Sequence, residues 1–211
     1  SQSLSNYLKK RIKKKIVTLY NPIRTEKKNN ILRNNKIKNF SYIGNMGKAQ
    51  NVELIVKSFI KSNITNSILN MCGDGNLLPN LSKKYYKKQI KWHGWISGIK
   101  LDKIIDKSDF LIVSLNNKGR QSHIIPSKIQ TYFMSNRPII CISKGAVSSL
   151  IKFTKSGLVS ENFKISSAVK IFKKSSKLTL KNKRQMGKNA YEFYLSNFRK
   201  EKIVSEFLKN I

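Results

Sequence analysis

DFLIVSL, residues 109–115, is apolar at nearly every position. A strand with one wet face alternates apolar and polar side chains, so an unbroken run predicts burial on both faces. That makes it an inner strand of a parallel sheet, with helices covering it on either side. The flanking sequence agrees. Downstream, in HIIPSKIQTYFMSNRPII (residues 123–140), Pro126 opens a short helix and Pro138 opens the apolar strand RPIICIS. Proline suits a first helical turn, where its missing N–H costs nothing. Upstream, Ser97 is placed to cap a helix carrying Leu101, Ile104 and Ile105, after a short strand at residues 90–93.

Working further back, a helix is expected near residues 77–86, and SILNMCG (67–73) reads as another strand. Val52, Ile55, Val56, Phe59 and Ile60 share one helical face, with Asn51 as the expected N-cap, and FSYIG (40–44) is the strand before it. Apolar strands alternating with amphipathic helices specify an α/β, Rossmann-like doubly wound parallel sheet. Two helices, over 180–196 and 199–210, close the chain, the last presenting Ile203, Val204, Phe207, Leu208 and Ile211 on one side. The polar stretch 24–39 reads as a surface loop. Residues 1–22 fit the domain less neatly. Leu4, Leu8 and Ile12 make a weak helical stripe, and KKKIVTLYNP reads as a strand ending at Asn21-Pro22.

The 211 residues and their 39% hydrophobic content suffice for one buried core. No apolar run approaches the length needed to span a bilayer, and SQSLSNYLKKRIKKK has no apolar signal-peptide core. Cys72 and Cys141 both lie in strand-like runs, a pattern that fits neither a metal site nor a disulfide framework and suggests a reduced, cytoplasmic setting. With 43 Lys and Arg against 10 Asp and Glu, the formal charge is +33. Such a field attracts anions: nucleic acid, an anionic membrane surface or a phosphorylated substrate. The lysines are nevertheless spread over the whole chain, alongside many Asn and Ile, as AT-rich coding would produce. No zinc-finger spacing, RNP aromatic motif or basic zipper is present, so nucleic acid is not the expected partner.

In open parallel sheets, ligands bind beyond the carboxyl ends of the strands. Four marked stretches fall at predicted strand ends or just beyond. Gly44-Asn45-Met46-Gly47 lies between a strand and a helix, where glycines let a phosphate approach backbone N–H groups. Gly73-Asp74-Gly75 follows the second strand and is also ordinary turn chemistry. His93-Gly94-Trp95-Ile96 follows the third. Pro126-Ser127-Lys128 begins a helix, where the Ser127 hydroxyl, the free N–H groups and the Lys128 ammonium suit an anion. Each alone has a plain structural reading: a turn, a packed tryptophan, a solvated lysine.

Together and in order, FSYIGNMGKAQNVE, NMCGDGNLLPNL, IKWHGWIS, SDFLIVSL and IIPSKIQTYFMSNRPII resemble the C-terminal, donor-binding domain of family 4 glycosyltransferases of GT-B fold. The likeness is greatest to the bacterial branch that builds surface polysaccharides. The resemblance covers about residues 15–211. It implies a cytoplasmic, retaining enzyme that needs no metal or other cofactor and uses a nucleotide-diphosphate sugar as donor. It places Gly44, Asn45 and Gly47 at the donor diphosphate, Gly94, Trp95 and Ile96 at the nucleobase, and Pro126, Ser127 and Lys128 at the phosphates or sugar. Gly73, Asp74, Gly75 and Thr131 complete the expected donor site, and no residue is assigned as catalytic. Many relatives carry a pair of glutamates around this last helix, where this sequence has His123 and Thr131. An arginine common in the first turn is replaced by Asn45, with Lys48 nearby.

The resemblance also implies domain limits: residues 1–22 as linker or remnant of a preceding acceptor domain, 23–198 as the nucleotide-sugar domain, and 199–211 as a helix crossing back to the missing domain. Two other readings compete: a nucleotide-binding module without transfer activity, and a basic nucleic-acid-binding domain.

Overall fold

The computed structural model describes residues 1–21, 31–116, 119–160 and 162–210. Six strands form one sheet, all neighbours parallel: β1 (Lys38–Ile43), β2 (Ser67–Cys72), β3 (Ile90–Gly94), β4 (Phe110–Leu115), β5 (Ile139–Ser143) and β6 (Gly157–Ser160), in the order β3-β2-β1-β4-β5-β6. The helices are α1 (Gln2–Lys9), α2 (Val52–Ser62), α3 (Leu78–Lys84), α4 (Gly98–Lys107), α5 (Lys128–Met134), α6 (Ala146–Phe153), α7 (Ile165–Ser176), α8 (Leu180–Asn197) and α9 (Lys200–Leu208). Every residue of β4 is buried, as its unbroken apolar run requires.

The sheet separates two cores. On one face α2 and α7 pack together, and the rings of Phe40, Phe59, Phe110 and Phe172 meet at centroid distances of 5.4–5.8 Å. Both arrangements among them, stacked and edge-on, are favourable for aromatic quadrupoles. On the other face, Leu111, Val113 and Leu115 of β4 meet Ile129, Tyr132 and Phe133 of α5 and Ala190 and Tyr194 of α8. At the amino ends of the strands, Asp109 accepts from Lys183 Nζ at 2.7 Å and from the Asn39 backbone N–H at 3.0 Å, joining α8 to β1 and β4.

Several expectations are corrected. KKKIVTLYNP forms no strand over residues 13–21; Tyr20 instead meets Phe198 edge-on at 4.7 Å, at the α8–α9 junction, while Val17 and Leu19 are exposed. The 24–39 stretch is only partly loop. Residues 22–30 lie outside the described residues, Leu32 is buried with its carbonyl held by Arg184 Nε at 3.0 Å, and β1 already begins at Lys38. Asn51 does stand at the start of α2, but in the left-handed conformation and without a side-chain cap; Ser97 likewise precedes α4 without capping it. The helix opened by Pro126 starts two residues later, at Lys128, because the first bonds there are the tighter ones from Ile129 N–H to Pro126 O and Gln130 N–H to Ser127 O. α6, β6 and α7 lie where the sequence pattern specifies no element. On α9, Ile203 is buried while Val204, Phe207 and Leu208 are exposed; Ile211 lies outside the described residues.

Candidate functional site

β1 and β4 are neighbours, yet the chain leaves β1 toward α2 on one face and leaves β4 toward α5 on the other. Connections that diverge in this way open a crevice at the carboxyl ends of the strands. The glycine turns of β1 and β2 are stitched together there. Gly44 N–H donates to Cys72 O at 2.9 Å, Gly73 N–H to Gly94 O at 2.7 Å, Met46 N–H to Asp74 O at 2.6 Å, and Leu77 N–H to Met46 O at 3.1 Å. Asp74 Oδ1 accepts from the Gly75 N–H at 2.7 Å, closing its own turn.

The fit leaves no room for side chains. A Cβ on Gly73, whose φ is +128°, would overlap the Gly44 carbonyl. Gly73→Ala should therefore destabilise the fold by about 1–3 kcal/mol for the backbone conformation alone. Urea unfolding checks this, and an unchanged midpoint would show that the two turns do not pack this closely.

Lys128, the first residue of α5, reaches into the hollow over Gly44. Its Nζ stands 2.6 Å from where a Cβ on Gly44 would be, 4.6 Å from the centroid of the Tyr42 ring and 3.5 Å from the Tyr42 hydroxyl. Among the described residues no carboxylate pairs with it. Burial without a counter-charge lowers its pKa to about 8. It is therefore not the solvated lysine that composition alone would allow. Asn45 is exposed, with its carboxamide lying over Gly75 and Gly47.

The structure thus brings Gly44, Asn45, Gly47, Gly73, Asp74, Gly75 and Lys128 together, and the Gly73 bond ties Gly94 to them. Pro126 is half-buried and Ser127 exposed at the start of α5, and half-buried Thr131 lies one turn further along. Trp95 is 77% exposed; among the described residues neither it nor Ile96 makes a side-chain hydrogen bond or ring contact with the glycine turns. His93 Nε2 meets Asn70 Oδ1 at 3.0 Å, and burial lowers its pKa. Trp92 packs into the core beside α3, with Nε1–H donating to Tyr85 O at 3.4 Å.

Sequence reasoning misses two tyrosines of this site. Tyr132, on α5, accepts from Ile43 N–H at 3.1 Å and lies within 3.2 Å of the Ile43 and Ile112 carbonyls, spanning the β1–β4 crevice from within. Tyr42 is buried in β1 beneath Lys128. Position gave the only available signal: Tyr132 lies four residues after Lys128, on the same helix face, and Tyr42 two residues before the glycine turn, on the same strand face as Gly44. His123 is held by α1, with Ser3 Oγ at 2.7 Å from Nδ1 and the Tyr7 ring at 4.8 Å. Among the described residues no group of three or more His, Cys, Asp or Glu is placed to hold a metal ion, and no helix is long and apolar enough to cross a membrane.

A crevice of glycine turns and a lysine without a carboxylate partner among the described residues, at the switch point of a six-stranded parallel sheet, is the architecture of a Rossmann-like domain. The family model described as glycosyl transferases group 1 matches residues 23–193, and the chain belongs to that family. TarM from S. aureus, solved with UDP, is similar at TM-score 0.79 and 14% identity over 99% of this chain and 42% of that one. HepE of Anabaena, solved with UDP and glucose, is similar at TM-score 0.68 and 10% identity over 83% and 49%. WaaG, a glycosyltransferase involved in lipopolysaccharide biosynthesis, is similar at TM-score 0.64 and 10% identity over 82% and 46%. The fold is the Rossmann-like unit of GT-B glycosyltransferases. The chain spans less than half the length of these structures. No curated protein matches the sequence.

Proposed function

We propose that this chain is the C-terminal, donor-binding part of a family 4 glycosyltransferase that retains anomeric configuration and builds bacterial surface polysaccharide. The observation that carries the reading is the Lys128 ammonium, half-buried in the hollow over Gly44 with no carboxylate partner among the described residues. A buried charge without a partner is costly, and a site keeps one where a ligand of opposite charge completes it. The diphosphate of a nucleotide sugar fits: Gly44, Asn45 and Gly47 let it approach the backbone, Gly73, Asp74 and Gly75 complete the donor site beside that turn, and Lys128 and Ser127 meet its oxygens. Pro126 and Thr131 border the phosphates or sugar, and Gly94, Trp95 and Ile96 border the nucleobase. Its role in transfer is to stabilise the charge that builds on the departing diphosphate.

The acceptor, polysaccharide or lipid-linked, would bind a separate preceding domain. This chain alone should bind donor and transfer nothing, because positioning both substrates supplies much of the rate. No metal or other cofactor is required in this reading. The setting is cytoplasmic, with peripheral attraction to anionic lipid, where each nearby basic residue contributes about 1 kcal/mol.

Calorimetry with UDP, ADP and GDP, against the bare nucleosides, tests the reading. At least one diphosphate should bind, and Lys128→Ala should weaken it by about tenfold or more, whereas Lys88→Ala, at an exposed position, should not. Equal losses from the two, or tight binding of the nucleosides alone, would reject the assignment.

A further inference from the structure

We propose that Tyr42 is a positioning residue of this site, holding the Lys128 ammonium and the turn after β1 as one unit. What the site binds rests on the donor-binding reading above; how it is held rests on geometry alone. The Tyr42 hydroxyl has one proton and donates it to the Asn45 carbonyl at 2.5 Å. Its lone pairs are then free to accept from Lys128 Nζ at 3.5 Å. The face of the same ring lies beneath that ammonium, 4.6 Å from centroid to nitrogen. A lysine on a flexible stem otherwise favours solvent, and a ring quadrupole with a hydroxyl acceptor holds it in place of a carboxylate. A carboxylate there would pair with Lys128 but repel a diphosphate. A neutral phenol orients the charge and leaves it available.

The groups around the phenol stay neutral. Tyr132 from α5 is its titratable neighbour and Cys72 from β2 in turn faces Tyr132; burial raises the pKa of all three, that of Cys72 to about 12. Lys128 is therefore the member of this cluster that titrates nearest neutrality, lowered by burial to about 8. Affinity for a diphosphate should be full while Lys128 is charged and fall as pH rises through that value.

The test has a ligand-free arm and a ligand arm. In the ligand-free protein, the Lys128 ε-methylene protons should resonate upfield from the Tyr42 ring current, assigned by their loss in Lys128→Met. In Tyr42→Phe the ring remains but the acceptor and the Asn45 tether are gone. The Lys128 titration midpoint should fall, because an acceptor no longer favours the charged form. UDP binding should weaken by about fivefold to tenfold, and the pH at which it is lost should fall in parallel. A residue that only stabilised the fold would change the unfolding midpoint and neither of these. If UDP does not bind the unaltered chain, that counts against the donor-binding reading, and the ligand-free titration still decides the role of Tyr42. Unshifted ε-methylene resonances in the unaltered protein, or an unchanged Lys128 midpoint in Tyr42→Phe, would overturn the proposal; the first needs no variant to fold.

Discussion

Lys128→Met should lose diphosphate binding and gain stability in the same protein. The binding loss is that of a charge-assisted contact, about 10- to 100-fold. The stability gain follows from the lowered pKa. At pH 7 the native lysine is charged at a cost, and the difference between about 8 and its ordinary 10.5 corresponds to at most about 3 kcal/mol. Methionine fills similar space without a charge. The pH dependence has a definite sign. Between about pH 8 and 10.5 the native protein has released a proton that the unfolded chain still holds, so the unaltered protein becomes more stable as pH rises. The advantage of Lys128→Met should therefore be full below pH 8 and shrink above it. Thermal unfolding across that range checks this, with about 2–4 °C expected per kcal/mol for a chain of this size. A variant less stable than the parent at pH 7 would show that the ammonium is not held at a cost.

Lys183→Met should have the opposite outcome: a large loss of stability with the diphosphate site intact. Asp109 is 1% exposed and Lys183 6%. Removing the cation leaves a buried carboxylate with the Asn39 N–H and the charge of the buried Arg137 guanidinium, a change that costs up to about 3–5 kcal/mol. That is a large share of the roughly 5–15 kcal/mol that holds a domain folded. The double variant Asp109→Asn, Lys183→Met removes the stranded charge and should recover much of the loss. Urea denaturation of the three variants measures it, and a Lys183→Met cost below about 1 kcal/mol would reduce the pair to a surface contact. The pair sits at the amino ends of the strands, opposite the glycine turns, so UDP affinity per folded molecule should not change.

The contrast between these two lysines marks what the sequence could and could not reveal. Strands β1, β2, β4 and β5 are legible because each carries a compact apolar run set off by glycine, proline or serine, and β3 because it is a short stretch ending at Gly94 between two helical patterns. α7 was hidden by its serines. Ser175 is buried, as are Ser58 and Ser62 on the facing α2, and the hydroxyls of Ser62 and Ser175 turn back to the carbonyls of Phe59 and Phe172. Letters that look polar thus line the helix seam, because a serine that bonds its own helix can pack as a small residue. β6 has four residues and follows a glycine, too short for a pattern. At the site, the glycine turns and Lys128 stand out because they break a pattern. Tyr42 and Tyr132 fit the patterns of a strand and a helix so well that only three-dimensional contact separates them from core residues. Lys183 and Asp109 pair across a sequence separation of 74, which no local reading reaches.

Strand order also sets a timetable. β1 and β2 are consecutive and can pair early, but the other side of β1 waits for β4, and the bond from Asn39 to Asp109 closes a separation of 70 residues. The entropy of closing such a loop must be met before its contacts form, which slows folding of parallel sheets. The crevice between β1 and β4 is thus assembled from two halves that each gain structure first. A ligand that bridges the Gly44 turn and Lys128 spans that late seam, so its binding should slow unfolding more than it speeds folding.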